Sequence, residues 1–175
     1  MPRHHRSEPV PEFTGVDHVS LTVTDLDRSE RFYTDVLRLL RLADFGTARV
    51  LLHRPTSFVL ALVRHDAANG DPFSEVHTGL DHLGFGVTSR EELVAWERQL
   101  EMLGVKYTPI RDMEFGAHLN FRDPDDIALE LSTSNEILTG WFDELREREI
   151  PRDEFDARLA EYLASLPQSI STLGP

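Results

Sequence analysis

The chain is predicted to be α+β, with one β-α-β-β(-β) unit written twice and amphipathic helices at the C-terminal end. Three observations carry this. Two strand patterns recur 64 residues apart, a helical pattern follows each, and a hairpin-like pair of strands follows each helix. "GVDHVSLTVT" at Gly15 and "GLDHLGFGVT" at Gly79 share five of ten residues, including Asp17 with Asp81 and His18 with His82. The match runs on without a gap, so that Phe32 meets Trp96 and Leu39 meets Leu103. That is an internal duplication.

Taken in order, residues 1–12 read as an arm rich in Pro and charge, with no apolar run of the kind a secretory signal needs. The first module covers 13–66. Residues 16–24 alternate as a strand. Residues 26–40 carry Leu26, Phe32, Tyr33, Val36, Leu37 and Leu40 at helical spacing, with Asp25 and Asp27 at cap positions. "ARVLLHR" and "SFVLALVRH" then form a hairpin through "RPTS". Residues 67–78 are a linker rich in Gly, Pro, Asp and Asn. The second module covers 79–135, with a strand over 80–88, a helix over 90–103 capped by Ser89, and a hairpin of "AHLNFRD" and "DIALELST" through "DPDD". Residues 136–166 are two amphipathic helices parted by Pro151. They are read as a cap on the domain, with a lid or a dimer contact as the alternatives.

Composition excludes several classes of function. There is no cysteine, so disulfides and Cys-ligated zinc are ruled out, and a cytoplasmic protein is expected. No apolar run is long enough to cross a bilayer. The net charge of -13 excludes nucleic acid and anionic membrane as natural partners, because phosphate binding needs clustered Lys and Arg.

Strand parity singles out a polar face. His18, Ser20 and Thr22 alternate with Val19, Leu21 and Val23, and His82, Gly84 and Gly86 alternate with Leu83, Phe85 and Val87. Each histidine therefore stands opposite the apolar face. In "DIALELST", Glu130 sits among apolar neighbours, and a carboxylate there needs a partner or a cation. Aligning the hairpins on Pro55 and Pro124 places Ala61 opposite Glu130, so the first copy lacks that ligand. Two imidazoles and one carboxylate suit Fe(II), Mn(II), Co(II), Ni(II) or Zn(II), with positions left open for substrate.

"GVDHVSLTVTDLDRSERFYTDVL", "GLDHLGFGV" and "NFRDPDDIALEL" resemble the vicinal oxygen chelate superfamily, which includes glyoxalase, extradiol dioxygenases, and fosfomycin- and bleomycin-resistance proteins. The resemblance covers about residues 13–134. It implies two βαβββ modules forming a curled mixed sheet around a metal-lined cavity, with His18, His82 and Glu130 as ligands of one divalent metal. Two departures matter. Asp126 replaces the glycine usual in the "RDPDG" turn, and Asn120 stands where ring-cleaving dioxygenases usually carry tyrosine.

With Glu130 facing inward, parity adds His118 and Asn120 as candidate catalytic residues, His118 as general acid or base. Arg49, His53 and Arg122 are candidates for substrate binding, the arginines as bidentate anchors for an anionic group. The expected function is a mononuclear metal enzyme, with an Fe(II) oxygenase acting on a small chelating substrate as the main reading. The alternatives are a non-redox lyase, isomerase or transferase using Mn(II), Ni(II) or Zn(II), and a drug-sequestering binding protein. A small-molecule substrate and a homodimer are expected as partners.

Overall fold

The computed structural model describes residues 13–167, so the expected arm over 1–12 lies outside the described residues. The chain divides into two units that part between Gly70 and Asp71. The first contains β1 (His18–Thr22), α1 (Leu26–Asp35), β2 (Leu40–Asp44), β3 (Ala48–His53) and β4 (Phe58–Val63). The second contains β5 (Leu83–Gly86), α2 (Arg90–Met102), β6 (Arg111–Met113), β7 (Gly116–Arg122), β8 (Ala128–Ser134), α3 (Glu136–Glu147) and α4 (Arg152–Ser165). Each unit holds one four-stranded mixed sheet, in the order β1-β4-β3-β2 and β5-β8-β7-β6. The duplication is thus repeated at the level of topology. Within each sheet the first strand runs parallel to the last, and the remaining pairs are antiparallel.

Local chemistry explains where the helices begin and end. Asp25 accepts hydrogen bonds from the backbone N–H groups of Asp27 and Arg28 at 2.9 and 3.0 Å, and Ser89 accepts one from Glu92. The helical spacing extends to residue 40, but α1 stops at Asp35. Arg38 adopts a left-handed backbone with φ of 58°, and the Leu39 N–H folds back onto the Tyr33 carbonyl. Leu37 and Leu39 are buried beyond the helix, and Leu40 opens the edge strand β2. Apolar spacing alone does not distinguish a helix from a folded-back tail. In the second unit Gly104 takes the left-handed position, and the Val105 N–H closes on the Leu100 carbonyl.

Each helix covers one face of its sheet. In the first unit Leu21, Leu51, Leu60 and Leu62 are buried on that face together with Tyr33 of α1. In the second, Leu119, Phe121, Leu129 and Leu131 are buried with Leu93 and Leu100 of α2. The turn between β7 and β8 is held by the buried Asp123, whose Oδ1 accepts from the N–H groups of Asp125 and Ile127 at 2.8 Å each. Asp126 takes the left-handed conformation with φ of 64°, so the turn keeps its shape without the glycine, as short polar side chains permit.

The C-terminal helices rest on the turn between β6 and β7. Phe115 packs against Trp141 and Tyr162, Phe155 packs against Trp141, and the Tyr162 hydroxyl donates to the Glu114 carbonyl. Asn135 caps α3 and donates from Nδ2 to the Tyr162 hydroxyl at 2.7 Å. Among the described residues no helix is long and apolar enough to cross a membrane.

Gly116 opens β7 with φ of 154°, and a Cβ there would lie 1.8 Å from the Thr133 carbonyl oxygen of β8. Gly116→Ala is therefore expected to cost about 3 kcal/mol or more through overpacking and backbone strain. Urea unfolding of the variant measures this.

Candidate metal centre and its cavity

The register of the second sheet assembles the site. Gly84 of β5 pairs with Glu130 of β8, and Glu130 pairs with Asn120 of β7. His118 pairs with Ser132, and Arg122 with Ala128, so all of these residues lie on the face away from α2. His118, Asn120, Arg122, Ala128 and Glu130 border a cavity of about 430 Å³, with Asp81 and His82 just before β5 and Glu75 from the segment preceding them. Gly84 lies beside the carboxylate, where a Cβ would make an ordinary contact 3.7 Å from Glu130 Oε1.

Glu130 is held from two sides. His118 Nδ1 lies 3.0 Å from Oε2, and His82 Nε2 lies 3.9 Å from Oε1. The first is a hydrogen bond. The second is too long for one, but it lies within the separation of two donors that share a cation through bonds of about 2.1 Å. The other ring nitrogen of His82 lies 2.6 Å from Asp81 Oδ1, and that of His18 lies 2.8 Å from Asp17 Oδ2. With Nδ1–H donated to a carboxylate, Nε2 keeps its lone pair outward. That is the arrangement which orients a histidine toward a metal. The donor chemistry therefore fits a divalent ion at His82 and Glu130. Among the described residues, no group of three or more His, Asp or Glu side chains is already gathered around one point.

His118 Nε2 is buried and has no hydrogen-bond partner. Arg122 is not a free cation. Its Nη2 donates to Glu75 Oε1 at 2.6 Å and its Nη1 to Oε2 at 3.2 Å, with a further bond from Nη1 to the Asp126 carbonyl at 3.0 Å. The hydrogen bond from Arg122 is the main reason that the Glu75 carboxyl is held down to about 2.

His18 lies on the face of the first sheet away from α1, and its side chain is half-exposed. Ser20 pairs with Ala61 in that sheet as Gly84 pairs with Glu130 in the other, so Ala61 is the structural counterpart of Glu130. Arg49 and His53 require a correction. They pair with Leu62 and Phe58, which places them on the helix-covered face opposite His18. Arg49 binds Asp27 and Glu30 of α1 at 2.7 Å each and Asp44 of β2 at 3.0 Å. His53 Nδ1 lies 2.8 Å from the Thr56 hydroxyl. The hairpins of the two copies are offset by one residue, and such an offset exchanges the two faces when parity is transferred from one copy to the other.

Two features of the cavity escaped the sequence. Glu75 was assigned to the linker, and no spacing rule joins it to Arg122, 47 positions away. Lys106, Tyr107 and Thr108 line the cavity because this stretch lies along β7, with Tyr107 bridged to Phe121. Asp17 and Asp81 were visible in the repeat, but the repeat alone gave them no role.

Residues 15–131 match the family model of the Glyoxalase/Bleomycin resistance protein/Dioxygenase superfamily. The chain belongs to this family. A glyoxylase/bleomycin resistance protein/dioxygenase domain from Frankia sp. EAN1pec is 39% identical, with a TM-score of 0.65 over 71% of this chain and all of that one. The metallothiol transferase FosB of Staphylococcus epidermidis is 27% identical over 124 residues, covering 70% of this chain and 83% of its own. The fold is also shared with the fosfomycin resistance protein FosX of Mesorhizobium loti, at 19% identity and a TM-score of 0.57 over 73% of this chain and 98% of that one. A FosX variant from Listeria monocytogenes, solved with Mn(II) and 1S,2S-dihydroxypropylphosphonic acid, has a TM-score of 0.56 at 20% identity over 71% of this chain and 94% of its own. The FosX likenesses show the fold alone, and of these relatives the metallothiol transferase bears on the non-redox alternative; an iron oxygenase is not shown.

Arg49→Ala should cost roughly 2 kcal/mol of stability, because it removes the 2.7 Å partner of the largely buried Glu30 carboxylate and leaves it the longer Arg41 contact of 3.4 Å. It should leave ligand binding in the second-unit cavity unchanged. Thermal unfolding and a binding titration on the same sample check both halves.

Proposed function

We propose that the protein is a divalent-metal-dependent enzyme of the non-redox kind, which adds a nucleophile such as a thiol to a small anionic molecule rich in oxygen. The observation that carries this is the convergence of His82, Glu130, His118 and Arg122 on one cavity. The metallothiol transferase relative supports the reaction class, and the FosX likeness supports a phosphonate as the first substrate to try. The ligands proposed in the second unit are His82 and Glu130, and His18, which repeats His82 together with its supporting aspartate, is the further imidazole that the family resemblance implies. A homodimer is part of the same proposal.

A bound divalent ion would act as a Lewis acid on a substrate oxygen and stabilise negative charge developing there. The chain's own residues do the rest. His118 holds Glu130 Oε2 through its Nδ1–H, which leaves Oε1 toward His82. A role for His118 as proton shuttle would need Nε2, which is buried, so the geometry supports the holding role. Asn120 pairs with Glu130 and offers an amide to orient the substrate, while Arg122 is the anchor for its anionic group. With an epoxide, the sulfur of a thiolate forms a bond to a ring carbon and the C–O bond breaks. The electron pair stays on that oxygen, which takes up one proton.

The test is incubation of the metal-loaded protein with fosfomycin and cysteine or glutathione, read by mass spectrometry of the adduct. A thiol adduct that His82→Ala abolishes is expected. Oxygen uptake with Fe(II) and a catechol, and no adduct, would overturn the proposal. Separately, Asp81→Ala should weaken Mn(II) binding about ten- to a hundredfold by calorimetry, with little change in melting temperature, as loss of a carboxylate supporting a ligand does.

A further inference from the structure

The cavity already holds one anion in the place where a substrate's anion would bind, and that anion belongs to the chain. Arg122 presents both terminal nitrogens to Glu75 in the fork-to-fork arrangement with which arginine also takes phosphonate, phosphate or carboxylate. The guanidinium is aimed by its bond to the Asp126 carbonyl, which does not depend on Glu75. Asp81 and the candidate ligands His82 and Glu130 border the same cavity as the fork. Lys106 also acts on the Glu75 carboxylate and borders the same cavity.

Glu75 is built to leave. It stands in a stretch without helix or strand between the unit boundary and β5, and its side chain is 41% exposed. Phe73 is tied to the Asp125 carbonyl by one backbone bond, so the segment has a pivot two residues away. The pair is bidentate but remains open to water, so an anion from solution reaches the same fork. With its pKa at about 2, Glu75 stays charged at any working pH, so protonation does not release the fork and a competing anion does.

We propose that Arg122 is the subsite for the substrate's anionic group and that Glu75 is its built-in competitor, displaced together with the segment before β5 when a phosphonate binds. This rests on the reading that the cavity takes a small anionic molecule, and it adds an internal latch that sets the apparent affinity. A site occupied by an internal competitor binds more weakly by the fraction of time it is free.

The test is calorimetric titration of methylphosphonate into the full chain without added metal. Glu75→Gln should bind methylphosphonate about tenfold more tightly than the unaltered protein, and Glu75→Gln with Arg122→Gln should lose that gain. Glu75→Asp, which keeps the charge but is too short to span the fork, should bind at least threefold more tightly. It carries the test if Glu75→Gln proves unstable. Equal affinity in the unaltered protein and in the folded Glu75 variants, within twofold, would overturn the latch. So would a gain that survives loss of Arg122. Mn(II) titration of the same samples separates the two ideas: bound metal with no tightening sinks only the latch, and absent metal binding sinks the broader reading.

Discussion

The pairing of β8 with β5 on one side and β7 on the other fixes what this cavity contains. Because Gly84, Glu130 and Asn120 stand in line across three strands, the carboxylate faces away from α2 while Leu129 and Leu131 fill the core. A slip of one residue would place Glu130 among Phe121, Leu119 and the helix, and would push two leucines into the cavity. The burial of those leucines therefore holds the register, and the register holds the site. His118 adds a local lock by bonding the carboxylate oxygen that does not face His82.

The sequence reveals this half of the molecule well because the relevant signals are local. Alternation along a strand assigns a face to every residue once one is known, and the turn at Asp123 fixes the offset between β7 and β8, so His118, Asn120 and Arg122 fall beside Glu130. The first copy defeated the same method. Its hairpin has a different offset, and Arg49 turns to Asp27 and Glu30 instead of the polar face. The end of α1 was illegible for a related reason, since the left-handed turn falls on Arg38 and no glycine marks it. The Glu75–Arg122 pair shows a different limit: a contact between a structureless segment and a strand has no period to betray it.

Duplication followed by divergence accounts for the asymmetry between the copies. Both keep a histidine with its Nδ1 beside the preceding aspartate, but only the second couples it to a carboxylate, Ala61 being the counterpart in the first. In the second unit the charges answer one another locally, with Arg122 on Glu75 and Lys106 on Asp126. The net charge of -13 therefore says little about the cavity, where two cations stand among the carboxylates.

The central claim is that a divalent metal is held in the second unit by the His82 imidazole together with Glu130. Pulsed electron paramagnetic resonance of the Mn(II)-loaded chain tests it most directly, because nitrogen couplings report the ligating histidines. An imidazole coupling that His82→Ala removes is predicted. Mn(II) that shows no imidazole coupling, or a coupling indifferent to His82→Ala, would contradict the account.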